Sequence, residues 1–160
     1  MVFDTISSDK PGPSPRNKAM DLLARREHSA QELRAKLLSR GYEPDEVDPA
    51  IDRLVEEGLL SDARFAEAFT AARVRKGQGP IRIRGELEQR GVAEHLIEAS
   101  LGRVDVDWIT AAREVRERKF GASSPADYKE RARQSRFLQY RGFTGEQIAR
   151  TFRSNDEEQD

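Results

Sequence analysis

LLSRGY (37–42), LEQRGV (87–92) and LQYRGF (138–143) set one arginine-glycine pair in one apolar frame three times. A leucine stands four residues before each glycine (Leu37, Leu87, Leu138), and an apolar residue follows it directly (Tyr42, Val92, Phe143). Six residues after the glycine comes Val47, Ile97 or Ile148, and ten after it Ile51, Leu101 or Phe152. Copies in register at a spacing of about 50 residues are the mark of a repeat architecture, in which one supersecondary unit is stacked several times. Each glycine reads as a helix C-terminal cap, because only glycine enters the left-handed region at little cost, and the apolar positions around it read as core. The arginine before it is what the helix dipole alone favours in a last turn. One position departs from the frame: eight before the glycine, Leu33 and Ile83 are matched by Gln134, so the packing or a helix boundary of the third copy is expected to differ.

Outward from these frames the chain reads as short helices. Met20, Leu22 and Leu23 form a first apolar stripe, and Ser29 with Glu32 forms a capping box that opens the helix ending at Gly41. Pro44 suits a first helical turn, and Val47, Ile51, Leu54 and Val55 follow before Gly58. The second unit repeats the order with Phe65, Ala68, Phe69 and Ala72, a break at Gly79-Pro80, then Ile83 and Leu87, and a third helix with Leu96, Ile97 and Leu101. In the third unit Asp107 caps a helix bearing Trp108, Ile109, Ala112 and Val115, Ser124 with Pro125 opens the next, and Thr144 with Gln147 makes a second capping box. No stretch alternates long enough to argue a strand. The expected fold is all-α: three tandem three-helix repeats at 17–60, 61–104 and 105–153 forming an elongated, curved rod, between a proline-containing tail (1–16) and an acidic tail (154–160), both disordered.

Composition narrows the chemistry. With no cysteine among 160 residues there is no disulfide framework, no thiolate nucleophile and no cysteine metal site. No apolar run approaches the roughly 18 residues of a membrane span, and the N-terminus has no signal-peptide core, so a cytoplasmic protein is expected. His28 and His95 occupy different places in their repeats without histidine or cysteine neighbours, and read as surface or cap residues rather than ligands. GQGP (77–80) lacks the GK[ST] of a phosphate-binding loop and reads as a turn. Glu56 and Glu57 read as a solvated helix face. No catalytic residue, metal ligand or cofactor is indicated.

Charge is the remaining signal. The chain carries a formal net charge of −1, yet residues 43–70 hold nine acidic side chains against two basic ones, and residues 71–90 hold six basic against two acidic. Such asymmetry concerns partners more than fold. Arg73, Arg75 and Lys76 close the first helix of unit two, Arg82 and Arg84 open the second, and Arg90 lies in its arginine-glycine pair. In unit three Arg113, Arg116, Arg118 and Lys119 close the first helix, Lys129, Arg131, Arg133 and Arg136 ride on the second, and Arg141 stands before Gly142. Cations near helix C-termini complement the dipole, but Arg82 and Arg84 sit near a helix start, where the dipole opposes them. That placement favours a surface for phosphate or an acidic partner, made of Arg73, Arg75, Lys76, Arg82, Arg84, Arg90, Arg113, Arg116, Lys119, Arg131, Arg133, Arg136 and Arg141.

The stretch EEGLLSDARFAEAFTAARVRKGQGPIRIRGELEQRGV (56–92) resembles the hallmark segment of the RecX family, with Gly58-Leu59-Leu60, Asp62, Arg64-Phe65-Ala66, Arg73, Gly77, Ile83, Leu87 and Arg90-Gly91 in order. AMDLLARREHSAQELRAKLLSRGY (19–42) and LQYRGFTGEQI (138–148) match as well, so the likeness runs over about residues 18–152. The resemblance implies three tandem three-helix repeats and a bacterial cytoplasmic regulator of recombination and DNA repair. Such a protein binds the RecA recombinase filament on single-stranded DNA, lies along its groove, and inhibits ATP hydrolysis, strand exchange and co-protease action. It would act as a monomer without cofactor, with single-stranded DNA, and as an option double-stranded DNA, among its partners. Two other readings stay open: a tandem helix-turn-helix regulator, for which Asp45, Glu46 and Asp48 at the start of a recognition helix are ill suited, and a helical scaffold indifferent to salt.

Overall fold

The computed structural model describes residues 12–103 and 106–153. Among these the protein is all-helical, with α1 (Pro15–Arg25), α2 (Ala30–Ser39), α3 (Pro44–Glu56), α4 (Asp62–Arg75), α5 (Pro80–Gln89), α6 (Glu94–Arg103), α7 (Trp108–Phe120), α8 (Tyr128–Tyr140) and α9 (Gly145–Thr151). These are three three-helix units in tandem. They form two compact bodies, divided between Phe65 and Ala66 inside α4.

The three frames fold identically for a local reason. Tyr42, Val92 and Phe143 donate their amides to the carbonyls of Leu37, Leu87 and Leu138, while Gly41, Gly91 and Gly142 donate to Leu38, Glu88 and Gln139. This is the paired 6→1 and 5→2 pattern of a Schellman cap, and it needs the glycine at positive φ, here 93°, 77° and 103°. The leucine and the residue after glycine are the two ends of the hydrophobic contact that accompanies such a cap, and all six side chains except the half-buried Tyr42 are buried.

In the first body α1, α2 and α3 enclose Ala19, Leu22, Leu33, Leu37, Val47, Ile51 and Leu54, with Leu60. The Ser29–Glu32 box forms as expected, and Pro44 takes the first turn of α3. Three expectations need correction. Helix α1 begins at Pro15, two residues inside the anticipated tail, because the Ser14 hydroxyl accepts the amide of Asn17. The inward residue beside Leu22 is Ala19, and Met20 and Val55 are exposed instead. His28 is buried, not a surface residue: it lies against the Arg26 carbonyl through Nδ1 and against Lys36 Nζ through Nε2, both at 3.0 Å. The remainder of the N-terminal tail (1–11) and the acidic tail (154–160) lie outside the described residues.

The second body contains the rest of α4 and α5 to α9. Phe69 and Thr70 of α4 face inward where Ala68 is exposed, and the Thr70 hydroxyl donates to Ser100 of α6 inside the core. Helices α7, α8 and α9 surround Ala112, Val115, Leu138, Phe143 and Ile148. Helix α8 starts at Tyr128, later than Ser124-Pro125 suggested, because the Asp127 carboxylate accepts the Glu130 amide at 2.8 Å and supplies the cap. The departure at Gln134 has its compensation. Its side chain is buried, and its Oε1 accepts from the buried Arg116 guanidinium at 3.2 Å.

Candidate functional site

The cations expected on one surface divide into two groups. The first is built into the protein. Arg116 is a core residue held by the carbonyl of Ser123 and by Gln134, with Phe152 beneath its guanidinium, so it is withdrawn from any partner. Arg73 pairs with Glu86 at 3.0 Å, and Arg73 and Arg90 both stand over the Phe69 ring, at 4.5 and 4.7 Å. Arg84 is engaged by Glu94 and Glu98 of α6; the bond to Glu98 raises its guanidinium further above the usual range and holds Glu98 below its own. Arg84 therefore fastens α5 to α6. Arg113 is half-buried and donates to the Arg150 carbonyl.

Arg141 links the second and third three-helix units. Its guanidinium donates to the Lys76 carbonyl at 2.8 Å, and its own carbonyl accepts the Gly79 amide at 2.8 Å. The Ile81 amide donates to the Gly142 carbonyl at 2.9 Å. The GQGP turn is thus the seat for the third arginine-glycine pair, which explains why this turn carries glycines at 77 and 79.

The second group faces outward. Arg75 and Arg118 line one cleft of about 320 Å³ beside Gly77, together with Glu114 and Asp107. Arg118, Lys119 and Arg141 line another of about 310 Å³ with Phe137 and Val115. On α8, Lys129, Arg133 and Arg136 are exposed. Arg133 is tethered by Glu130, whose carboxyl is held below its usual range by the bond to Arg133, and Arg136 has no intramolecular ion pair among the described residues. Arg131, on a different side of α8, stands over Phe152 at 4.9 Å and borders a cleft with Ile81, Gln139 and Phe143. Arg82 bridges the two sets: it reaches Glu86 at 3.6 Å and stands over the Tyr140 ring at 5.4 Å.

Tyr140 is the residue that the charge pattern did not identify. It is 74% exposed, and it lies beside the α8 cations. The available signal was inside the repeat itself, since the other two frames have Ser39 and Gln89 at that position. Among the described residues no cluster of histidine and carboxylate side chains is arranged to hold a metal, and no helix is long and apolar enough to cross a membrane.

Comparison with known proteins places this architecture. The chain matches the models of the RecX first three-helix domain at residues 16–54, the second at 61–101 and the third at 105–152. It is 52% identical over 143 residues to the regulatory protein RecX of Halorhodospira halophila, covering 89% of each chain, and 49% identical over 156 residues to that of Pseudomonas tolaasii, covering 98% of this chain and 97% of the other. In fold it is similar to the crystal structure of RecX from Lactobacillus salivarius, with a TM-score of 0.72 at 20% identity, covering 86% of this chain and 91% of that one. With all three domains matched and relatives about half identical along most of its length, the chain belongs to the RecX family of regulatory proteins.

Proposed function

We propose that the protein binds the RecA filament on single-stranded DNA and restrains its ATP hydrolysis, strand exchange and co-protease action. The observation that carries this reading is the concentration of outward cations on the second body: Lys129, Arg133 and Arg136 along α8, and Arg75, Arg118 and Lys119 around the GQGP turn. Cations set one after another along a helix and its neighbouring clefts suit a phosphate backbone, where affinity arises from neutralising successive charges. Helix α3 of the first body has the opposite character. Asp45, Glu46, Asp52 and Glu56 are exposed on α3, a face that phosphate would repel and a protein surface could accept. One molecule with both signs suits a composite target of protein and nucleic acid better than bare DNA.

The helix-turn-helix reading gains no support. Helix α9 would have to read bases, yet its Gln147 accepts the Thr144 amide in a capping box and its Arg150 pairs with Glu146 at 3.0 Å. A recognition helix needs such side chains free for base edges.

The test is the single-stranded-DNA-dependent ATPase of RecA with this protein added well below the RecA concentration, alongside naked-DNA binding at the same salt. Strong inhibition while the naked DNA stays mostly unbound is expected. Inhibition only once the DNA is saturated, or none, would overturn the proposal.

A further inference from the structure

Helix α8 has one fully solvent-facing stripe. At 3.6 residues per turn, positions 129, 133, 136 and 140 fall within about 60° of one another and span roughly 16 Å of the axis. Their occupants are Lys129, Arg133, Arg136 and Tyr140, all exposed, while Gln134 and Leu138 on the opposite side are buried. Three cations in a row are a track for phosphates. The fourth member is aromatic, and it stands where the first two frames have Ser39 and Gln89. A tyrosine left 74% exposed forgoes the burial that is an aromatic ring's main contribution to stability. Arg82 of α5 stands over this ring at 5.4 Å, and with that cation beside it the residue still keeps most of its surface in solvent.

An exposed aromatic ring flanked by cations is the arrangement on which unpaired bases stack, because every base has a π-face and the neighbouring cations hold its backbone. A duplex keeps its bases stacked on one another and cannot present one to the ring. We infer that Tyr140 is a base-stacking platform for single-stranded nucleic acid, with Lys129, Arg133 and Arg136 tracking the phosphates beside it and Arg82 backing the ring. The inference rests on the proposed contact with single-stranded DNA and adds to it the residue that distinguishes a single strand from a duplex.

The experiment compares the full chain with Tyr140→Ala, Tyr140→Phe and Arg136→Glu on fluorescein-labelled oligothymidylate and on an abasic strand of equal length, across a salt series. Tyr140→Ala is expected to weaken binding to oligothymidylate by about fivefold or more, the effect of losing one stacked base, while binding to the abasic strand stays within about twofold. Tyr140→Phe keeps the ring and binds as the parent. Arg136→Glu weakens binding to both strands and flattens the salt dependence, since it removes a phosphate contact. Equal losses on both strands, no loss for Tyr140→Ala, or no binding of oligothymidylate by the parent would each overturn the inference. The RecA ATPase assay on the same preparations separates the two proposals. A parent that stacks bases but does not inhibit RecA overturns only the proposed function, and a Tyr140→Ala protein that inhibits and binds as the parent overturns only the platform.

Discussion

Gly79 and Gly142 meet backbone against backbone, so closely that a Cβ built on Gly79 would lie 2.4 Å from the carbonyl carbon of Gly142 and 2.6 Å from the amide of Phe143. Side chains at these positions would force apart the hydrogen bonds that join the second unit to the third. Gly79→Ala should cost about 2 to 3 kcal/mol in urea unfolding by overpacking. Gly142→Ala should cost more, since its Cβ would lie 2.5 Å from that of Arg82 and its φ is 103°. Gly85, in the middle of α5 with open space around it, is the control: Gly85→Ala should stabilise by about 0.5 to 1 kcal/mol. A Gly79→Ala protein as stable as the parent would show that the junction contributes nothing.

Arg116 and Gln134 form a coupled pair in the third core. Gln134→Leu restores the aliphatic residue of the other repeats but leaves a buried guanidinium short of an acceptor, and should cost about 3 kcal/mol. Arg116→Met with Gln134→Leu removes both polar partners and should recover most of that loss. A double-mutant cycle by chemical denaturation measures the coupling; additive effects would argue against it.

Arg84 and Arg136 separate fold from binding. Arg84→Glu puts a third carboxylate beside Glu94 and Glu98, and should lower Tm, by about 1 kcal/mol of stability for a half-exposed site. Arg136→Glu should leave Tm unchanged and weaken inhibition of RecA. The reverse pattern would make Arg84 the binding residue.

His28 makes stability depend on pH. Burial, then the nearby charges of Arg26 and Lys36, depress its pKa below 6.5, although the Arg26 carbonyl acts in the other direction. Lys36 can donate to Nε2 only while the ring is neutral. The unfolded chain binds a proton more readily than the folded one, so this contribution is complete above about pH 6.5 and is lost as the pH falls toward the depressed folded value. Lys36→Met removes the facing ammonium and should make the loss between pH 7 and 5 shallower, with the His28 titration followed by NMR. An unchanged profile would exclude His28 as its source.

The cap of α8 can be assigned by a pair of substitutions. Asp127→Ala should cost about 1 kcal/mol, and Ser124→Ala almost nothing, in thermal unfolding. Equal losses would mean that the helix starts earlier.

Much of the fold was legible in the residues because its signals are local. A Schellman cap is closed by bonds across a few positions of one segment, so leucine, glycine and the apolar residue after it announce a helix end wherever they recur. The two capping boxes and the Pro44 and Pro80 starts are visible for the same reason. Helix α8 was placed too early because Ser124, Pro125 and Asp127 are all acceptable start signals, and local chemistry does not rank them. The candidate site was legible only as a set of cations.

Which cations face solvent is a property of segments far apart in the chain. Arg116 was indistinguishable from Arg113 or Arg118 until α8 brought Gln134 against it. Arg141 was one more basic residue until the fold set it on the Lys76 carbonyl, 65 residues away. Nor does a tyrosine inside a core-forming frame reveal that it points to solvent, since that depends on how α8 rotates to bury Gln134 and Leu138. By itself the sequence determined the helices, the glycine-capped helix ends, the threefold repetition and the run of cations along the second and third units, all of which follow from short-range hydrogen bonds and composition. Only the tertiary structure decided which arginines are held in packing and ion pairs and which face solvent, because burial and charge pairing arise when distant segments meet.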